Sequence, residues 1–178
     1  MSGSAMDNYL ELASLNDFKA ITNIFRKSIN HMRTLNIDQW DEIYPNEDII
    51  LTDIKKHQLY VYKINNVPIS VVTLNQEQEE AYITVDWNFY DEKIAVIHRL
   101  CVDPDLQNQG IARSTMVAAQ NELIKQGFLS IRLDAFSKNP YALKLYDKLG
   151  YLKCGEVTLR KGLFFCFEKR LSDSHPYA

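Results

Sequence analysis

Val102-Asp103-Pro104-Asp105-Leu106-Gln107-Asn108-Gln109-Gly110-Ile111-Ala112 is where one periodicity stops and another begins. Before it, Ile94 to Val102 is apolar except at His98 and Arg99, the pattern of a central strand, and Pro104 ends that strand because proline cannot donate to a sheet ladder. After it, Ile111 to Gln126 reads as an amphipathic helix. A helix start exposes unpaired N–H groups and the positive end of the macrodipole. Glycine at the tightest point lets that backbone approach an anion with no Cβ in the way. Such a strand, turn and helix can cradle a pyrophosphate on main-chain amides, although a single glycine at a helix start is also ordinary turn chemistry.

Working outward, the C-terminal half alternates. Leu129 to Ala135 is extended, Pro140 to Leu149 helical, Tyr151 to Leu159 extended, and a last strand runs from Leu163 to Leu171 after Lys161-Gly162. Gly127 and Gly150 stand where helix C-terminal glycines belong. Upstream, Asn8 to Ser14 reads as a short strand, with Asn16 as the N-cap of a helix carrying Phe18, Ile21, Ile24, Phe25 and Ile29. A second helix is predicted from Asn46 to His57 after Pro45. Leu59 to Ile64 and Ile69 to Leu74 are strands around an Asn65-Asn66 hairpin turn. Ala81 to Val102 is predicted to hold two strands separated by Asp91-Glu92-Lys93. The fold class is α/β, with a mixed sheet and no repeat or linker.

Composition narrows the function classes. A chain of 178 residues amounts to about one domain, expected over residues 6–171 with a frayed tail at 172–178; Met1-Ser2-Gly3-Ser4-Ala5 reads as a cloning remnant. Twenty Lys and Arg against 23 Asp and Glu, with only Glu77 to Glu80 as a charged block, give no footprint for nucleic acid or an anionic membrane. Without a membrane-length apolar run or a secretory pattern, the expectation is a cytoplasmic protein. Cys101, Cys154 and Cys166 are odd in number and set in apolar stretches, which suits buried thiols. His31, His57, His98 and His175 are scattered, so no metal site is expected. None of the six glycines forms a dinucleotide-binding Gly-x-Gly-x-x-Gly or a P-loop, which removes the main warrant for nicotinamide chemistry and for loop-type nucleotide hydrolysis.

Two ordered segments resemble a known family. Gln107-Asn108-Gln109-Gly110-Ile111-Ala112 is similar to the (Gln/Arg)-x-x-Gly-x-(Gly/Ala) signature of the GNAT acetyltransferase superfamily. Asn139-Pro140-Tyr141-Ala142-Leu143-Lys144-Leu145-Tyr146-Asp147-Lys148-Leu149-Gly150-Tyr151 looks like its Asn-x-x-Ala-x-x-Leu-Tyr-x-x-x-Gly-(Phe/Tyr) segment. The likeness is sharp from Ile94 to Leu159 and extends to element order upstream.

The resemblance implies a single-domain GNAT fold, a mostly antiparallel mixed sheet flanked by helices, and acetyl-CoA as co-substrate with no metal. It implies that Leu100, Cys101 and Val102 pair with the pantetheine arm, and that Gln107, Asn108, Gln109, Gly110, Ile111, Ala112 and Arg113 hold the pyrophosphate. Asn139 reaches the pantetheine or simply caps its helix. Tyr146 is placed to return a proton to the CoA thiolate. An alkyl amine titrating near 10.4 carries a handicap of roughly 4–5 kcal/mol at neutral pH, so a base is needed. His98 is the candidate, with Asp86 and Glu80 on a neighbouring strand as alternatives and a core histidine as the plain reading. Trp40, Tyr44, Trp87 and Tyr90 are candidate acceptor walls, and Asp86 a charge for a cationic amine, with packing the competing role. The expected reaction is direct attack of a small molecule's primary amine on the thioester. A peptide or protein acceptor and a non-catalytic CoA-binding module are the alternatives, and many relatives pair as homodimers through C-terminal strands.

Overall fold

The computed structural model describes residues 8–171. The proposed remnant at Met1–Ala5 and the tail at 172–178 lie outside the described residues. Among the described residues, seven strands and four α-helices follow the order that the sequence pattern predicts, with two corrections, one of which removes a predicted strand. The strands are β1 (Asn8–Leu12), β2 (Leu59–Ile64), β3 (Val67–Asn75), β4 (Ile94–Val102), β5 (Ser130–Phe136), β6 (Leu152–Leu159) and β7 (Gly162–Arg170). The helices are α1 (Phe18–Thr34), α2 (Glu47–Lys55), α3 (Ile111–Lys125) and α4 (Pro140–Lys148). The sheet order is β1-β2-β3-β4-β5-β7-β6. β4 and β5 are parallel, as the α3 crossover between them requires, and the pairs β1–β2, β2–β3, β5–β7 and β6–β7 are antiparallel.

The first correction is at the start of α1. Asn16 is not the cap: it lies inside a 3-10 turn, Leu15–Asp17, that precedes the helix. Ser14 and Asp17 form the reciprocal cap instead, with the Ser14 amide donating to Asp17 Oδ2 at 2.9 Å. The second correction concerns residues 81–90, which form no strand. Glu80–Thr84 is a 3-10 helix with Tyr82 buried, and Val85 three residues on is buried too. That spacing of three suits a 3-10 turn rather than the two-residue alternation of a strand. Glu80 and Asp86 therefore do not lie on a strand beside β4.

Elsewhere local chemistry decides. Asn46 Oδ1 accepts from the Ile49 amide at 3.0 Å and starts α2. Asn65 and Asn66 have φ of 50° and 66°, the consecutive left-handed pair that a two-residue hairpin needs. Arg99 is left-handed in mid-strand, with φ of 54° in β4, a conformation costing a non-glycine residue about 1–2 kcal/mol.

Two compact units result. The first comprises residues 8–74 with Arg99–Ala118; its core is Ile21, Ile24, Phe25, Ile50, Ile54, Leu59, Val61, Val71 and Cys101, with a second apolar cluster around Tyr62, Ile69 and Ile111. The second comprises Asn75–His98 with residues 119–171. Its long connection between β3 and β4 is held by side chains rather than by a sheet ladder. Fully buried Glu168 of β7 accepts from the Asn88 amide at 2.7 Å and from the Phe89 amide at 3.2 Å. Arg132 of β5 donates to the Phe89 carbonyl at 2.8 Å and lies 4.4 Å from the Trp87 ring centroid.

Glu168→Ala should lower the unfolding free energy by about 2–3 kcal/mol in urea titrations, because the Asn88 and Phe89 amides lose their acceptor.

Candidate active site

In the first unit β4 ends at Val102 and the chain turns at once. Asp103 Oδ1 accepts from the Asp105 amide at 3.0 Å and caps the 3-10 turn Pro104–Leu106. Lys27 of α1 reaches both carboxylates, 2.6 Å from Asp103 and 2.5 Å from Asp105, so the two acids beside the turn do not stand as bare negative charge. Asn108 and Gly110 follow with φ of 62° and 73°. The Gly110 carbonyl accepts from the Ser114 amide at 3.0 Å, which makes Gly110 the residue before α3 and leaves the amides of Ile111, Ala112 and Arg113 without an intrahelical acceptor.

The turn is open. Gln107, Asn108, Gln109 and Gly110 are exposed, and a Cβ built on Gly110 would meet nothing within 4 Å. Ile111 beneath it is buried, so the turn rests on a packed floor. Left-handed residues, an open face and a helix dipole together leave a run of backbone donors exposed, an arrangement chemically able to receive an anion. Along β4, Leu100 and Val102 are half-buried, whereas Cys101 is buried and its thiol is pushed up to about 12 by burial, which makes it an inert core group.

Two acceptor-wall candidates also belong to this unit. Trp40 is buried edge-on against Phe25, 5.6 Å between centroids, so it is core. Tyr44 is half-buried, and its hydroxyl accepts from Arg99 Nη1 at 2.8 Å.

The second unit holds the proton-handling candidates. Asn139 caps α4, its Oδ1 accepting from the Ala142 amide at 3.2 Å. Tyr146, two turns along, is buried with its ring against Tyr151 and Phe167 at 5.6 and 5.9 Å. Its hydroxyl makes no hydrogen bond within the described residues. Burial, and then the charge of Asp134, raise its pKa, so it is a phenol that keeps its proton.

His98 Nε2 faces Asn75 Oδ1 at 2.8 Å and the Glu77 carbonyl at 3.0 Å. Two acceptors there put the proton of the neutral ring on Nε2 and its basic lone pair on Nδ1. Trp87 is buried, donating from Nε1 to the Tyr82 carbonyl at 3.0 Å, while Asp86 and Glu80 are exposed, as is Tyr90.

Sequence reading missed Asp134. It sits deep in β5 opposite Cys166 of β7, accepts from the Tyr82 hydroxyl at 2.5 Å, and still keeps part of its surface accessible. Burial raises its pKa to about 6 and Glu79 adds to the rise, while the bond from Tyr82 opposes it. The signal was present: Asp134 is a carboxylate in the otherwise buried strand Ser130–Phe136.

The family pattern described as "Acetyltransferase (GNAT) family" matches residues 26–151. The chain belongs to the GNAT family of acetyltransferases. It is an acyl-CoA-dependent N-acetyltransferase with acetyl-CoA as co-substrate. A ribosomal protein bS18 alanine N-acetyltransferase of Haemophilus ducreyi is 30% identical over 55% of this chain and 73% of its own length. An S-(2-succino)cysteine N-acetyltransferase of Bacillus subtilis is 22% identical over 89% of this chain and 93% of its own. A GNAT-family acetyltransferase of Streptococcus agalactiae 2603 superposes with a TM-score of 0.84 at 20% identity, over 95% of this chain and 99% of that one. Among the described residues no helix is long and apolar enough to cross a membrane, and no group of three or more His, Cys, Asp or Glu could hold a metal ion.

Gly110→Ala should raise the Kd for CoA about tenfold in calorimetry, because the methyl group intrudes on the diphosphate, and should lower stability by about 1 kcal/mol through the left-handed backbone. An unchanged Kd would refute the cradle.

Proposed function

We propose that the enzyme acetylates the primary amine of a small amino-acid-type molecule by direct attack on the thioester of acetyl-CoA. Gln107 to Arg113 hold the diphosphate, Leu100 to Val102 pair with the pantetheine, and Tyr146 gives its proton to the departing thiolate. The observation that carries this reading is Tyr146 itself: a buried phenol with raised pKa whose hydroxyl spends its proton on no described neighbour. The wide match to the S-(2-succino)cysteine enzyme supports a free small molecule. A peptide N-terminus is the second reading, favoured by the bS18-alanine enzyme.

A peptide acceptor eases the proton problem, because a peptide α-amine titrates near 8 and freeing it at pH 7 costs about 1 kcal/mol, against roughly 4–5 for a lysine-type amine. Asp134 takes the proton in this reading, because it is ionised at pH 7, partly accessible and close enough to Tyr146 to shift it electrostatically. His98, an imidazole held through Nε2 by Asn75 and the Glu77 carbonyl, is the second candidate.

Thiol release from acetyl-CoA, measured with S-(2-succino)cysteine, an alanine-initiated peptide and putrescine, tests the acceptor; no turnover with any amine would sink the reading. Tyr146→Phe should lower kcat by about 10²–10³-fold while the Kd for acetyl-CoA stays within about twofold. Asp134→Asn should lower kcat and yet stabilise the fold at pH 7. The folded pKa of about 6 lies above the ordinary 3.8, so the stability that Asp134 contributes is complete below about pH 4 and is lost as pH rises through about 6. That loss is roughly 3 kcal/mol, and Asn should abolish it, as thermal melts from pH 4 to 7 will report.

A further inference from the structure

A buried ion pair lies apart from the cofactor turn, and the chemistry above does not use it. Arg99 donates from Nε and Nη2 to Asp53 Oδ2, at 3.0 and 2.5 Å, and from Nη1 to the Tyr44 hydroxyl at 2.8 Å. The Asp53 carboxylate also accepts from Thr73 Oγ1 at 3.0 Å. Its side chain is 7% exposed and that of Arg99 11%, so both charges have left water. Burial works against the Arg99 charge, and Tyr44 and Asp53 outweigh it, raising the pKa.

Four segments of the first unit thus meet in one network: the guanidinium of Arg99 in β4 bonds Asp53 of α2 and Tyr44 of the α1–α2 connection, and Thr73 of β3 donates to the same Asp53 carboxylate. Arg99 is also the left-handed residue of β4. The side chain that anchors the four segments therefore leaves the strand where its backbone departs from extended geometry, immediately before Leu100, Cys101 and Val102. Buried ion pairs contribute little net stability compared with apolar packing, and fixing one arrangement among several is their better-attested use. A planar guanidinium, with donors in a fixed fork, suits that task in a way an ammonium does not.

We infer that Arg99 is a positioning residue for the acceptor: by holding the Asp53 carboxylate and the Tyr44 hydroxyl together it sets where the Tyr44 ring stands relative to the strand that carries the thioester. The inference rests on the proposed placement of the pantetheine along Leu100 to Val102. Its consequence is selective. Loosening this link should impair acceptor binding and leave the diphosphate cradle at Gly110, which shares none of these bonds, unaffected.

Tyr44→Phe removes one hydroxyl and keeps the ring. Steady-state kinetics with S-(2-succino)cysteine and the alanine-initiated peptide as acceptors should show the acceptor KM rising about tenfold, with the acetyl-CoA KM unchanged. Arg99→Lys keeps the charge for Asp53 but loses the fork, and should raise the same KM. The double variant should be no worse than the poorer single one, since both cut one link. An unchanged acceptor KM in Tyr44→Phe, a parallel rise in the acetyl-CoA KM, or additive effects in the double variant would overturn the inference while wild-type turnover leaves the acetyltransferase reading standing. If Arg99→Lys fails to fold, Tyr44→Phe decides alone. Absence of wild-type turnover with either acceptor overturns the assignment together with the reading on which it rests.

Discussion

The first amides of α3 have no acceptor inside their helix, and the fold is arranged so that an anion can supply one. Left-handed Asn108 and Gly110 aim the backbone outward, and the open face over Gly110 leaves room for an approaching ligand. Ile111 anchors the first helical turn from below. Aspartates at 103 and 105 put negative charge beside the turn, and Lys27 offsets them through direct contacts. Backbone donors are thus left open while side chains manage the neighbouring field.

The second unit works by desolvation. Tyr146 and Asp134 are both driven toward their neutral forms by burial, but they start far apart on the pH scale. The same environment therefore leaves a phenol that holds its proton and a carboxylate that titrates close to neutrality, a division suited to giving one proton and taking another. Tyr82 ties the carboxylate to the connection between β3 and β4, and Glu168 and Arg132 fix the rest of that connection by hydrogen bonds to its backbone. A segment without a sheet ladder acquires a definite course from three buried polar side chains.

Periodicity and punctuation made most elements legible. Ile94–Val102 stands where its apolar run and Pro104 placed it, and Asn65-Asn66, Gly127 and Gly150 adopt the left-handed turns that their residue types favour. Local rules failed where two of them competed. Ser14, Asn16 and Asp17 are all capping residues, and only the reciprocal Ser14–Asp17 pair satisfies two groups at once. Ala81 to Tyr90 has strand-like composition, yet Tyr82 and Trp87 are claimed by the side chains of Asp134 and Arg132 rather than by a sheet ladder.

By itself the sequence determined the strand, turn and helix around Gly110 and the α/β class, because each depends on contacts between residues close in the chain. Tertiary structure alone decided that Trp40 is core, that Asp134 titrates near neutrality, and that Asp53, Thr73, Arg99 and Tyr44 share one network. Burial and the charge of distant neighbours set those properties, and neither quantity is written in the order of residues along a strand.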